Sequence, residues 1–207
     1  MRVHVIYRSA RSAGKRRPPY FDHRAALLSF LRSVEACADG AVRVHFLNDG
    51  EIQPDRLELM RGRGEVTNTG GVGNCGSHRA ALCLAEGLAA DADDVVYFSE
   101  DDYVYRAGAF PALLDAAAQI GRADYFCLQY PPTIPEPADR RAAPRGQRWV
   151  GVASATMTFG VRCGRLARDS WIHWLGTRHD YPHDQAIWPA TLGGSRYRLA
   201  HALGRTP

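Results

Sequence analysis

Val95, Val96, Tyr97 and Phe98 form an apolar run that passes through Ser99 directly into three acids, Glu100, Asp101 and Asp102. β-Branched and aromatic residues favour a pleated, half-buried or buried strand, whereas adjacent carboxylates resist burial unless they are paired or bind metal. The strand, read as 94–99, therefore ends where the acids begin. A strand of this kind needs cover, and the neighbouring segments supply it. Residues 2–7 read as a first strand, followed by a basic Gly/Pro loop and a helix over 21–38 carrying Leu27, Leu28, Leu31 and Val34 at helical spacing. Asp22 is a plausible cap for that helix and Asp39-Gly40 a plausible stop. A second strand over 42–47, a short helix over 54–60, a brief strand over 65–68 and an Ala/Leu-rich helix over 77–90 precede the acidic strand. A helix over 109–120 follows, with Pro111 tolerated in its first turn, then an apolar strand over 124–129.

This alternation predicts one α/β domain over 1–207, with a mostly parallel central sheet flanked by helices in three layers. In open sheets of this type ligands bind beyond the carboxyl ends of the strands. Hard carboxylate oxygens at such a point suit a divalent cation, although three acids in isolation also suit a solvated turn. After Tyr130 the prolines at 131, 132, 135, 137 and 144 predict a surface loop over 130–147. A strand over 149–161 and helices over 166–175 and 184–192 complete the reading.

Hydrophobic residues at 45% and charged residues at 23% place the 207-residue chain among folded globular proteins. The net charge of +4 is concentrated in two loops, Arg8, Arg11, Lys15, Arg16 and Arg17, and Arg140, Arg141, Arg145 and Arg148. With no helix-turn-helix, zinc-finger or aromatic RNA-binding signature, nucleic acid is not expected as a partner, and a diphosphate is the better-matched anion. Both patches also serve as ordinary solubilising charge. Cys37, Cys75, Cys83, Cys127 and Cys163 are odd in number and contain no Cys-x-x-Cys pair, so neither a disulfide framework nor a structural zinc site is favoured, and a reducing cytoplasm fits. Cys83 and Cys127 read as small core residues. No apolar segment approaches the length of a membrane span and no export signal is evident, which leaves peripheral membrane contact through the basic loops open.

Four segments, taken in order, carry a resemblance. They are Tyr7-Arg8 after the first strand, Asn48-Asp49-Gly50 after the second, Gly70-Gly71-Val72-Gly73-Asn74 with Ala80 before the acidic strand, and Phe98-Ser99-Glu100-Asp101-Asp102. Their order resembles the nucleotide-sugar-binding core of GT-A glycosyltransferases, especially the inverting family-2 type. The match in pattern covers 2 to about 120 and is loose thereafter. The resemblance implies a three-layer Rossmann-like GT-A fold, with 1–120 as the nucleotide-sugar-binding half and 121–207 as the acceptor and catalytic half. It implies a metal-dependent transferase that takes a sugar from a nucleotide-diphospho-sugar donor to an acceptor hydroxyl, with inversion.

Under that resemblance Tyr7, Arg8, Asp49, Gly71, Asn74, Arg79, Glu100 and Asp101 fall on the donor side, and Asp102 ligates Mg²⁺ or Mn²⁺ between the two phosphates. Asp49 can accept hydrogen bonds from a base or ribose, while Asn-Asp-Gly is equally a good turn. Gly70, Gly71 and Gly73 permit close backbone approach, and Arg79 has the reach for a phosphate or for a helix surface. Glu-Asp-Asp departs from the commoner Asp-x-Asp, which leaves the roles of Glu100 and Asp101 open. An acceptor alcohol needs a general base. Asp184, within His179-Asp180-Tyr181-Pro182-His183-Asp184, is the candidate, with Asp180 and His183 as alternatives and a plain helix cap as the ordinary role. His201 is a candidate late metal ligand or a packing residue. Trp149 and His183 are expected on the acceptor side, whereas Trp171 and Trp174 read as core. The base, the sugar, the acceptor and the oligomeric state are not specified. A nucleotidyltransferase acting on a sugar phosphate is the alternative, since Gly14-Lys15-Arg16-Arg17 imitates its basic first loop. A non-catalytic nucleotide-sugar-binding relative is a third reading.

Overall fold

The computed structural model describes residues 1–10, 17–88, 90–121, 123–129, 140–142, 148–150, 155–177, 187–188 and 191. Strand β1, Val3–Ala10, is buried on both faces for most of its length. Successive side chains point to opposite sides of a strand, so Val3, Val5 and Tyr7 face one layer and Ile6 and Arg8 the other. β2, Val42–Asp49, and β3, Glu65–Asn68, extend the sheet in parallel on one side of β1, and β4, Val95–Glu100, pairs in parallel on the other. Beyond β4 lie β8, Phe159–Arg162, and β5, Tyr125–Phe126, giving the six-stranded order β3-β2-β1-β4-β8-β5.

Helix α1, His23–Glu35, begins at Asp22, whose carboxylate accepts the Arg24 N–H at 2.8 Å. This satisfies one of the donors a helix start leaves unpaired. Its buried stripe of Ala26, Leu27, Phe30 and Leu31 joins Met60 of α2, Pro54–Met60, and Phe110, Leu113 and Ala116 of α4, Ala109–Gln119, over Val3, Val5, Tyr7, Phe46 and Tyr97. The opposite face is covered by α3, Gly73–Gly87, and α5, Cys163–Gly176, which close over Ile6, Leu47, Val96, Phe98 and Phe159. The three-layer α/β expectation holds. Among the described residues no helix is long and apolar enough to cross a membrane.

Several local expectations are corrected. The strand expected over 149–161 divides into β7, Arg148–Val150, and β8. β7 pairs antiparallel with β6, Arg140–Ala142, inside the stretch expected to be loop. β8 runs antiparallel to both β4 and β5, so the sheet is mixed at this edge. Gly160 permits the close packing there, since a Cβ at that position would stand 3.0 Å from Tyr97 Cδ2 and 3.2 Å from a Val95 methyl. Helix α3 starts at Gly73, four residues earlier than Ser77. Cys83 lies exposed on α3, and Trp171 is 50% exposed on α5 rather than in the core. The buried stripe of α5 runs through Leu166, Asp169, Ile172 and His173, and a stripe containing an acid and a histidine is invisible to a hydrophobic-period reading.

His173 of that stripe stacks on Phe159 at 5.5 Å between ring centroids, and its Nε2 lies 3.3 Å from the Tyr125 hydroxyl. The Tyr125 hydroxyl and the Arg165 guanidinium each donate to Asp169 Oδ2 at 2.7 Å. Burial pushes the His173 imidazole down to about 4, the Asp169 carboxylate acting against that trend. The folded protein thus keeps His173 neutral where the unfolded chain would protonate it. Its contribution to stability is present above about pH 6.5 and is lost as pH falls from there towards 4, by on the order of 3 kcal/mol in full. Urea midpoints measured between pH 7 and 4.5 should fall with pH. His173→Phe should flatten that slope whatever it does to absolute stability, and an unchanged slope would exclude His173 as the source.

Candidate functional site

Sheet winding places the site. The chain moves from β1 outwards to β2 and β3 on one side and to β4 on the other, so the direction of winding reverses between β1 and β4. The crevice beyond the carboxyl ends of such a pair is where open α/β sheets bind ligands. β1 ends here at Arg8, Ser9 and Ala10, and β4 at Ser99 and Glu100, immediately before Asp101 and Asp102.

Pairing register sets the first contact. Arg8 lies opposite Glu100 across the β1–β4 ladder, so both side chains rise on the α3 face. The Arg8 guanidinium donates to Glu100 Oε1 at 2.8 Å, to Ser77 Oγ at 3.2 Å, and to the Asn74 carbonyl and side-chain oxygens at 3.3 and 3.4 Å. Arg8, Asn74 and Glu100, far apart in sequence, therefore meet in one cluster. Tyr7, one residue earlier, points the other way. Its ring is fully buried against Phe30 and Phe46, 4.5 and 5.9 Å between centroids, so it belongs to the core and presents no surface to a donor. Burial, reinforced by the Asp101 carboxylate, pushes its phenol well above the ordinary range.

Alternation divides the three acids as well. Asp101 turns to the α1 face, where it is 7% exposed. There it accepts from Arg56 of α2 at 2.8 Å and, at 3.4 Å, from the Ala10 N–H, with His23 Nδ1 at 3.3 Å. Burial pushes the Asp101 carboxyl up, but the His23 contact and the Arg56 charge outweigh it and hold the group below the usual carboxylate range. Arg56 is itself only 2% exposed. Asp101 is thus a buried anchor rather than a surface ligand. Asp102 lies at the rim, where Arg17 Nη1 stands 2.7 Å from its Oδ2, and the Arg17 guanidinium also sits 5.1 Å from the centre of the Phe21 ring. Each acid of the motif faces a different arginine: Arg8, Arg56 and Arg17 in turn.

Asp49, expected beside a base or ribose, is committed to the glycine loop. Its Oδ1 accepts from the Thr69 hydroxyl and the Val72 N–H, both at 2.6 Å, and its Oδ2 accepts from the Gly73 N–H at 2.8 Å. This carboxylate covers the N-terminal amides of α3 from a neighbouring strand, which explains the earlier helix start and places negative charge at the positive end of the helix. Gly70, Gly71 and Gly73 all adopt positive φ, near 80°, 87° and 79°, the geometry for which glycine is suited. Arg79 does not reach the crevice. Its guanidinium bonds the Thr177 hydroxyl and carbonyl at 2.9 and 2.6 Å and ties α3 to the end of α5. Trp149 packs edge-on against Phe126 at 6.3 Å and is partly buried. Asp180, His183, Asp184 and His201 lie outside the described residues.

Sequence reading missed Arg56 and His23 altogether. Neither sits in a recognisable motif, and only burial of a full guanidinium beside Asp101 discloses the role. Tyr103 was also missed. Its hydroxyl donates to Thr156 Oγ1 at 3.0 Å, and Thr156 donates to Gln129 Oε1 at 3.1 Å, which joins the acidic turn to the loops beside β5 and β8.

Breaking a buried ion pair leaves an uncompensated charge, typically at 3–5 kcal/mol. Arg56→Met should therefore lower unfolding free energy by about that amount. Arg17→Gln, which breaks a partly exposed pair, should cost less than about 1 kcal/mol. The double variant Arg56→Met with Asp101→Leu should recover much of the first loss. Chemical denaturation of the three variants tests the ranking, and equal losses for Arg56 and Arg17 would contradict it.

No protein-family model and no curated protein matches the sequence. Among solved structures the fold is similar to that of S. aureus TarS 1–349, with a TM-score of 0.59 at 12% identity over 92% of this chain. The overlay takes in 55% of that structure, so the chain spans little more than half its length. A second similar structure, 4-diphosphocytidyl-2C-methyl-D-erythritol synthase, has a TM-score of 0.43 at 17% identity over 81% of this chain and 78% of its own. The mostly parallel sheet between two helical layers is the fold this chain shares with that first structure, and it is consistent with a GT-A fold.

Proposed function

We propose that the protein is a glycosyltransferase that moves a sugar from a nucleotide-diphospho-sugar donor to an acceptor hydroxyl, with inversion, assisted by Mg²⁺ or Mn²⁺. The observation that carries this reading is the placing of two ion pairs, Arg8–Glu100 and Arg17–Asp102, at the carboxyl ends of β1 and β4, where the sheet winding reverses.

The chemistry of the donor set is compatible with a cation of this kind. Among the described residues no group of three His, Cys, Asp or Glu could hold a metal, so the protein would supply one or two carboxylates and the diphosphate and water the remainder. Mg²⁺ in phosphate-handling sites is commonly held in this way. Asp102 would be the protein ligand, with Glu100 nearby for a ribose hydroxyl or bound water. When present, the cation would neutralise charge developing on the departing nucleoside diphosphate. Arg8 and Arg17 would orient the phosphates through charged hydrogen bonds, and Asp101, clamped by Arg56, would keep the acidic turn in register. Asp184 remains the proposed base for the acceptor hydroxyl, with Trp149 on the acceptor side.

The decisive experiment is thermal-shift screening with nucleoside diphosphates and their sugars, with and without Mn²⁺. Stabilisation by one nucleotide that requires the metal is expected, since a ligand present at a hundredfold its Kd adds about 2.7 kcal/mol. Asp102→Asn should remove the metal-dependent part of the shift and all transfer while leaving the unliganded melting temperature nearly unchanged. Undiminished transfer by that variant would overturn the role of Asp102. Release of pyrophosphate from a nucleoside triphosphate would point instead to nucleotidyl transfer.

A further inference from the structure

The arginine on Asp102 comes from the first loop, not from the sheet. Arg17 Nη1 stands 2.7 Å from Asp102 Oδ2, with side chains 25% and 15% exposed. In the proposed function Asp102 is the ligand of the cation, so a guanidinium and a divalent cation claim the same carboxylate. Arg8 and Arg56 face Glu100 and Asp101. Among the described residues the three carboxylates of the motif are thus each paired with a guanidinium. A divalent cation arriving alone adds two positive charges beside carboxylates that already carry guanidinium partners. A cation arriving with a diphosphate of two negative charges adds none, and the displaced Arg17 gains a phosphate as its new partner. A guanidinium suits that exchange because it bonds carboxylate and phosphate oxygens with the same planar fork.

We propose that Arg17 is a ligand-exchange residue: it occupies Asp102 in the donor-free protein, holds off the free cation, and passes to the donor's diphosphate when cation and diphosphate arrive together. This rests on the reading of Asp102 as cation ligand. Cation and diphosphate binding are then coupled through one side chain, and the cation's affinity in the absence of diphosphate is reduced by the fraction of time the Arg17–Asp102 pair is open.

The test is Mn²⁺ binding, read from the electron paramagnetic resonance signal of the free ion against protein-free controls, with and without dimethyl diphosphate as a base-independent diphosphate diester of two negative charges. Wild type, Arg17→Gln, Arg17→Lys and Asp102→Asn are compared as full chains. Arg17→Gln should bind Mn²⁺ alone about fivefold more tightly than wild type, the gain expected if the pair is closed about four-fifths of the time. The diphosphate diester should tighten Mn²⁺ binding strongly in wild type and only weakly in Arg17→Gln, with Arg17→Lys restoring part of the coupling. If Asp102→Asn abolishes Mn²⁺ binding but Arg17→Gln binds the free ion no better than wild type, the exchange role is overturned while Asp102 as cation ligand stands. If no variant binds Mn²⁺ under any condition, both fall together. The circular dichroism spectrum of Arg17→Gln should match wild type and its denaturation midpoint should fall only slightly, which separates loss of coupling from loss of fold.

Discussion

The buried pair between Asp101 and Arg56 is the contact on which the geometry of the crevice depends. A carboxylate at 7% exposure and a guanidinium at 2% are each costly to remove from water, and they coexist because each satisfies the other at 2.8 Å. The pair also takes the middle acid of the Glu100-Asp101-Asp102 turn into the α1 layer. Glu100 is thereby left on the α3 face beside Arg8, and Asp102 at the rim beside Arg17. Without that anchor an acidic turn would have no reason to present its flanking carboxylates in two defined directions. Arg56 thus helps aim the site while standing behind it.

Asp49 has a comparable part on the other side of the crevice. Its two oxygens gather one hydroxyl and two backbone N–H groups from the Thr69–Gly73 stretch, so the glycine loop and the start of α3 are held by a strand end. Positive φ at Gly70, Gly71 and Gly73 lets the loop turn without a side-chain clash, and the carboxylate supplies the acceptors the turn requires. Arg8 joins this frame to the acidic turn through Ser77, Asn74 and Glu100. Among the described residues, the carboxylates and arginines that line the crevice are therefore paired with one another.

Much of this was legible in the chain. The apolar run of 95–98, the alternation in β1 and the leucine stripe of α1 are periodic signals whose meaning depends only on local geometry. They placed most elements and the three-layer class. The acids closing that run marked Glu100 and Asp102, while Arg8 and Asn74 were singled out through the resemblance of four ordered segments to GT-A glycosyltransferases. What escaped is instructive. Asp49 was legible as important but not as a brace, because its partners stand 20 to 24 residues away in sequence. Tyr7 and Arg8 are neighbours in the chain yet serve opposite layers. Trp171 and Cys83 were assigned inwards from their apolar character, but α3 and α5 turn those positions outwards. The antiparallel β8 was missed because a strand's direction leaves no mark in its composition.

By itself, the sequence determined the order of most strands and helices, the α/β class and the concentration of acids at the end of β4. These follow from side-chain period and from the reluctance of carboxylates to be buried. Only the tertiary structure decided which acid is buried and which arginine faces each one. It also decided that β8 reverses direction and that Arg79 serves the α3–α5 contact instead of the crevice. Pairing partners across 45 or 85 residues are selected by strand register and layer packing, which no local window of the chain contains. Charge was written in the sequence; its pairing had to await the fold.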